Sequence, residues 1–92
     1  MPDAMKVGGV TGWLRVAALA HAHGLPVSSH LWPEVSARLL CCTPTAHWLE
    51  YSDMWNPILT DPLAVADGMA VAGDEPGSGL DWDEDAVRRY AV

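Results

Sequence analysis

Hydrophobic positions along the first fifty residues change period more than once, and the changes mark elements. Trp13, Val16, Ala17 and Ala20 fall at i, i+3, i+4 and i+7, one face of a helix. Gly8-Gly9 ahead of them reads as a loop. Thr11 is expected to cap the helix by accepting a bond from a free backbone N–H, and Gly24 to end it in the left-handed conformation. Residues 25–29, LPVSS, then read as a short buried strand. Pro33 suits the first turn of a second helix, and Glu34 beside it favours the positive dipole end. Val35, Leu39 and Cys42 share one side of that helix, and Thr43-Pro44 stops it. AHWLE, 46–50, reads as a second short strand that ends at Glu50.

The order is loop, helix, strand, helix, strand. Alternation with short connections predicts parallel βαβ units, hence an α/β fold. From about residue 53 the texture changes. Pro57, Pro62, Gly68 and Gly73 interrupt every period. MAVA, 69–72, predicts a short strand, and Glu75-Pro76-Gly77 a turn with Pro second and Gly third. Asp83 is expected to cap a last helix, with Glu84 and Asp85 at its start and Arg88 and Arg89 near its end. The division expected is a barrel segment at 1–52 and a tail at 53–92. The tail lacks the apolar content for a core of its own.

Composition narrows the function. The chain has 92 residues, half of them apolar, enough for one small domain. Its net charge of −7 is uneven. Residues 1–50 balance Asp3, Glu34 and Glu50 against Lys6, Arg15 and Arg38, whereas Arg88 and Arg89 are the only bases beyond. An acidic tail argues against nucleic acid and against an anionic membrane surface. No apolar run is long enough to span a bilayer and no basic, apolar leader opens the chain, so a cytoplasmic protein is expected. Adjacent Cys41 and Cys42 have poor geometry for a bridge and the wrong spacing for zinc. They are expected to be buried free thiols.

In parallel sheets, functional side chains gather at the carboxyl ends of strands. His30 and Glu50 both occupy such ends, and Asp3 precedes a Gly-Gly loop and a helix, as a strand end should. By itself His30 fits a packing residue, a metal ligand or a proton carrier. An Asp–His pair is a productive one for the last, because a carboxylate on one ring nitrogen fixes the tautomer and raises the basicity of the other, but from spacing alone a strand-end histidine is more often structural. His21 and His23 are two apart on a helix and share no face. GDEPGSG is glycine-rich but acidic and lacks a phosphate-loop lysine. Trp13, Trp48 and Trp82 read as core or interface; for Trp32, just after His30, bordering a pocket is the lesser alternative to a packing role.

PDAMKVGGVTGW, GLPVSSH and TPTAHWLE, in this order and separation, resemble the mandelate racemase/muconate lactonizing enzyme family of the enolase superfamily, most nearly its mandelate racemase subgroup. PGSGLDWDED resembles the C-terminal end of the same proteins. The resemblance implies a modified TIM (β/α) barrel, of which this chain supplies the last βα units, and a tail that returns to a capping domain. Asp3 would end the sixth strand, His30 the seventh and Glu50 the eighth. The implied chemistry is removal of a proton from the carbon beside a carboxylate in a 2-hydroxy carboxylate substrate. His30 would be the base on one face and Asp3 its orienting partner. Neutral Glu50 would donate a hydrogen bond to the substrate carboxylate. Leu31 would line the apolar wall. Lys6, three residues after Asp3, is a further candidate for substrate contact, with a solvent-facing role as the alternative.

The family's cofactor is Mg²⁺, and its ligands and the base of the opposite face would lie on earlier strands, so no metal ligand is expected here. Dehydration of a sugar acid is the rival chemistry on the same dyad. A homo-oligomeric parent is expected. So is an inactive isolated chain: a fragment, a misassigned start or one piece of a split protein.

Overall fold

Gly8 and Gly9 hold positive φ of 94° and 70°, a turn that reverses the chain straight into the first helix, α1, Gly9–Ala22. The computed structural model describes residues 1–92. Thr11 does not cap α1. The glycine turn starts the helix three residues earlier, with Gly8 at the cap position and no side-chain capping bond. Gly12 is small for a reason, since a Cβ there would collide with the Val7 carbonyl. At the other end Gly24, at φ 63°, closes α1 as expected. Leu25 N–H donates to Ala20 O at 2.8 Å and Gly24 N–H to His21 O at 3.0 Å, the paired bonds of a Schellman cap.

The second helix, α2, spans Pro33–Cys41 with Pro33 in its first turn and Glu34 at its start. Trp13, Ala17 and Ala20 from α1 meet Leu39 from α2, with Ala4 and Val27 completing the core. Val7, Val35 and Leu40 pack on its rim. Trp13 is fully buried, and its indole N–H donates to Thr43 Oγ1 at 3.0 Å. The Thr43 hydroxyl donates in turn to Leu39 O at 2.8 Å. A buried indole must find such a partner, and this one pins α1 to the end of α2.

Three short segments run parallel to one another. Val27 bridges Ala46, and Asp3 bridges His30. Val27 N–H donates to Thr45 O, His47 N–H to Val27 O, and Ser29 N–H to Trp48 O, at 2.8, 2.9 and 2.9 Å. His30 N–H reaches back to Pro2 O at 3.0 Å. The segment holding His30 is therefore central, flanked by that of Asp3 and that of Glu50. The α/β order and its parallel sense are as expected. The expected strands, though, pair only as isolated bridges, and Leu25 and Pro26 are exposed, leaving Val27 and Ser29 as the buried positions.

Both cysteines are free, as expected, but exposed rather than buried. The helix stops at Cys41, so Cys42 leaves the helical phase of Leu39, and Thr43 takes the inward position. Trp48 and Trp82 are exposed as well.

Beyond residue 53 the chain makes a 3₁₀ turn, Asn56–Ile58, and then a hairpin of β1, Ala64–Ala66, and β2, Met69–Val71, in register Ala66↔Met69. Asp67 and Gly68 form its turn, both at positive φ, as a tight hairpin demands. The last helix, α3, Glu84–Tyr90, is capped as expected: Asp83 accepts from Ala86 N–H at 2.9 Å. Leu59 bridges Trp82, which closes this region on itself. Arg38 of α2 holds it down. Its guanidinium donates to Gly73 O and Glu75 O at 2.9 Å each and to the Glu75 carboxylate at 3.0 Å. Gly79 lies so close that a Cβ there would collide with the same guanidinium.

Candidate active site

Asp3 opens a turn that fixes its own side chain. Its Oδ1 accepts from Met5 N–H at 2.9 Å and Lys6 N–H at 3.3 Å. That leaves Oδ2 facing His30, 3.2 Å from Nδ1. Asp3 is buried, while the His30 side chain keeps 40% of its surface. The acid is thus the enclosed partner and the imidazole the one a ligand can reach. With Nδ1 turned to a carboxylate, the ring carries its proton on that nitrogen and presents Nε2 as a lone pair. Burial alone pushes the Asp3 carboxyl up. The His30 bond, the Met5 and Lys6 amides and the Lys6 charge outweigh it and hold the carboxyl below its ordinary value.

Glu50 is tied to the residues on either side of His30. Its N–H donates to Ser29 Oγ at 2.9 Å, and its Oε2 accepts from Leu31 N–H at 2.6 Å. Ser29 is wholly buried, so the pairing of its hydroxyl is required rather than incidental. In the sequence it is marked only as a hydroxyl in a short apolar strand.

Leu31 and Trp32 follow with φ of 54° and 51°, two successive non-glycine residues in the left-handed region. Each costs on the order of 1–3 kcal/mol and persists only where its surroundings insist. Ser36 Oγ donates to Leu31 O at 2.9 Å, and Ser36 N–H to Trp32 O at 2.8 Å. Trp32 stacks on Trp55, centroids 5.0 Å apart and planes 6° from parallel. Lys6 places Nζ 3.7 Å from Asp3 Oδ2 with 78% of its side chain exposed, a loose pair at the rim. All five expected residues, Asp3, Lys6, His30, Leu31 and Glu50, therefore meet at one end of the three parallel segments.

No group of three or more His, Cys, Asp or Glu side chains has metal-binding geometry. These 92 residues accordingly do not fit a resident divalent ion. What the dyad can do unaided is accept or return a proton at His30 Nε2, with Asp3 holding the ring.

Known proteins share this fold. The family model for the enolase C-terminal domain-like family matches residues 1–86. The chain is 34% identical over 87 residues to the L-talarate/galactarate dehydratase of Salmonella typhimurium, covering 95% of this chain and 22% of that protein. It superposes with a TM-score of 0.93 and 56% identity on a Bradyrhizobium enolase solved with magnesium and mandelic acid, covering 100% of this chain and 25% of that one. The L-talarate dehydratase of Polaromonas, solved with magnesium and L-glucarate, gives a TM-score of 0.86 at 30% identity, covering 96% and 25%. The chain spans about a quarter of the length of the relatives it matches.

Proposed function

This chain belongs to the enolase C-terminal domain-like family, and from that premise we propose that it carries one half of a proton-transfer site for 2-hydroxy carboxylates. Its relatives are enzymes of that superfamily, and solved members contain Mg²⁺. The observation that carries the reading is the Asp3–His30 pair at 3.2 Å, with Asp3 buried and His30 accessible.

In the racemase form, His30 Nε2 takes the proton from the carbon beside the substrate carboxylate, and the C–H electron pair moves into the developing enediolate. Asp3 accepts from Nδ1–H and stabilises the imidazolium so formed. Protonated Glu50 keeps its bond from Leu31 N–H through the carbonyl oxygen and donates to the substrate carboxylate as charge grows there. Leu31 borders the substituent, and Lys6 attracts the anion at the rim. Reversal from the opposite face needs a second base, which this reading places on another part of the enzyme, along with the metal ligands. Residues 1–52 serve as barrel segment and 53–92 as the tail.

A second reading has its own support, since the Salmonella and Polaromonas relatives are named as sugar-acid dehydratases. There the base of the opposite face takes the α-proton, the enediolate electron pair forms the C=C bond as the β C–O bond breaks, and protonated His30 gives its proton to the departing oxygen, which leaves as water. Mandelate favours the first form and galactarate the second.

The test is solvent deuterium exchange into each substrate by the magnesium-loaded enzyme that contains this chain. His30→Asn is expected to abolish exchange on one face of mandelate and spare the other, or to abolish turnover of galactarate. Unchanged exchange and turnover with both substrates sinks the assignment of His30.

A further inference from the structure

The chain makes its sharpest backbone departure one residue after His30. Leu31 and Trp32 stand consecutively at positive φ, and Pro33 bars Trp32 from the right-handed helical well. The turn aims the Leu31 N–H at Glu50 Oε2, the shortest bond at the site, at 2.6 Å. Two of the groups that hold it come from α2: the Ser36 hydroxyl on Leu31 O and the Ser36 amide on Trp32 O. The third is Trp55, whose ring lies 5.0 Å from that of Trp32 and nearly parallel to it.

Trp55 belongs to the region after residue 53, which contributes no other ring to this turn. Both indoles are only partly buried, so packing all around does not fix Trp32, and the stack is its defined partner. We propose that Trp55 is a positioning residue for the candidate site. By stacking on Trp32 it holds the left-handed turn that presents Leu31 N–H to Glu50 and sets Glu50 beside His30. The tail then acts on the site through one ring and the turn it holds.

The proposal rests on Glu50 and His30 sharing a site, yet its test reads the turn and not the chemistry. The readouts are the Leu31 amide proton shift and exchange rate in the ¹⁵N-labelled chain. A hydrogen bond as short as 2.6 Å places that proton far downfield. Trp55→Ala is expected to move it upfield and to speed its exchange about tenfold or more relative to the α1 amides of Ala17 and Ala20. Trp55→Leu, which keeps apolar bulk without a ring, should behave like Trp55→Ala. Trp55→Phe should restore most of the shift.

The proposal is overturned if the Leu31 amide is unmoved in both ringless variants. It is equally overturned if Trp55→Leu matches the wild type, or if α1 amides accelerate as much as Leu31, since Trp55 then only contributes to general stability. Loss of the His30 assignment in the isotope-exchange assay leaves these NMR outcomes readable on their own.

Discussion

Asp3 Oδ2 lies 3.2 Å from His30 Nδ1, and the same two residues face each other in a parallel backbone bridge. Backbone and side chain thus fix one relationship twice, across a sequence separation of 27 and a whole helix. The pair has a consequence for stability as well as chemistry. The Asp3 carboxyl is held below its ordinary value in the folded chain. A group more acidic when folded contributes stability above its unfolded value, about 3.9, and loses that contribution as pH falls through its lower folded value. Wild-type melts should therefore lose stability on acidification below about pH 4 more steeply than melts of Asp3→Asn. Equal acid limbs would show that the carboxyl is not linked to folding.

Trp13 supplies the next expectation. It is fully buried and donates to Thr43 Oγ1. Trp13→Ala should cost about 3–5 kcal/mol, which a core of this size can hardly sustain. Trp13→Phe keeps most of the ring and loses the bond, so its cost should sit well below that. Combined with Thr43→Val in a double-mutant cycle, the coupling should be about 1 kcal/mol. Chemical denaturation of the four proteins measures it, and a coupling near zero removes the bond from the account.

Arg38 fastens the region after residue 53 to α2 through Gly73 O, Glu75 O and the Glu75 carboxylate. The bond of Glu75 with its own backbone and then the Arg38 contact keep its carboxyl below the ordinary range. Glu75 is two-thirds exposed, so the ion pair alone is worth little, and the two carbonyl bonds matter more. Arg38→Met should leave α1 and α2 folded and raise proteolytic cleavage within 73–79 about tenfold, equivalent to about 1.4 kcal/mol of local opening. An unchanged cleavage rate would mean that Gly79 and its neighbours hold the segment without the guanidinium.

What could be read from the residues follows from how local each cause is. The α1 face, Gly24, Pro33 and Asp83 each act within one helical turn, and each does in the structure what its position predicts. Thr11 failed because a better local solution, two glycines at positive φ, starts the helix earlier. The β1–β2 hairpin was legible in principle, since Asp67-Gly68 between apolar residues is a strong turn signal. Only its second strand was read. Asp3, His30 and Glu50 stand out as candidates because strand ends collect functional groups, and the structure brings the three together. Ser29, the strained Leu31–Trp32 turn and the Trp55 stack were not, because they depend on contacts between segments that no period in the sequence encodes.

The cysteines give a last, simple check on the end of α2. Helical phase alone places Cys42 on the Leu39 side, which is why burial was expected. The structure ends the helix at Cys41 and exposes both thiols. Free, exposed thiols react at the rate their own thiolate fraction allows, whereas buried ones wait for unfolding. Iodoacetamide should therefore add two groups to the native chain, by intact mass, at rates close to those in denaturant. Protection of Cys42 alone would restore the longer helix, with Thr43 displaced from Trp13. Protection of Cys41 alone would mean that the 320 Å³ groove it lines with Leu40, Trp48 and Met69 is covered in solution.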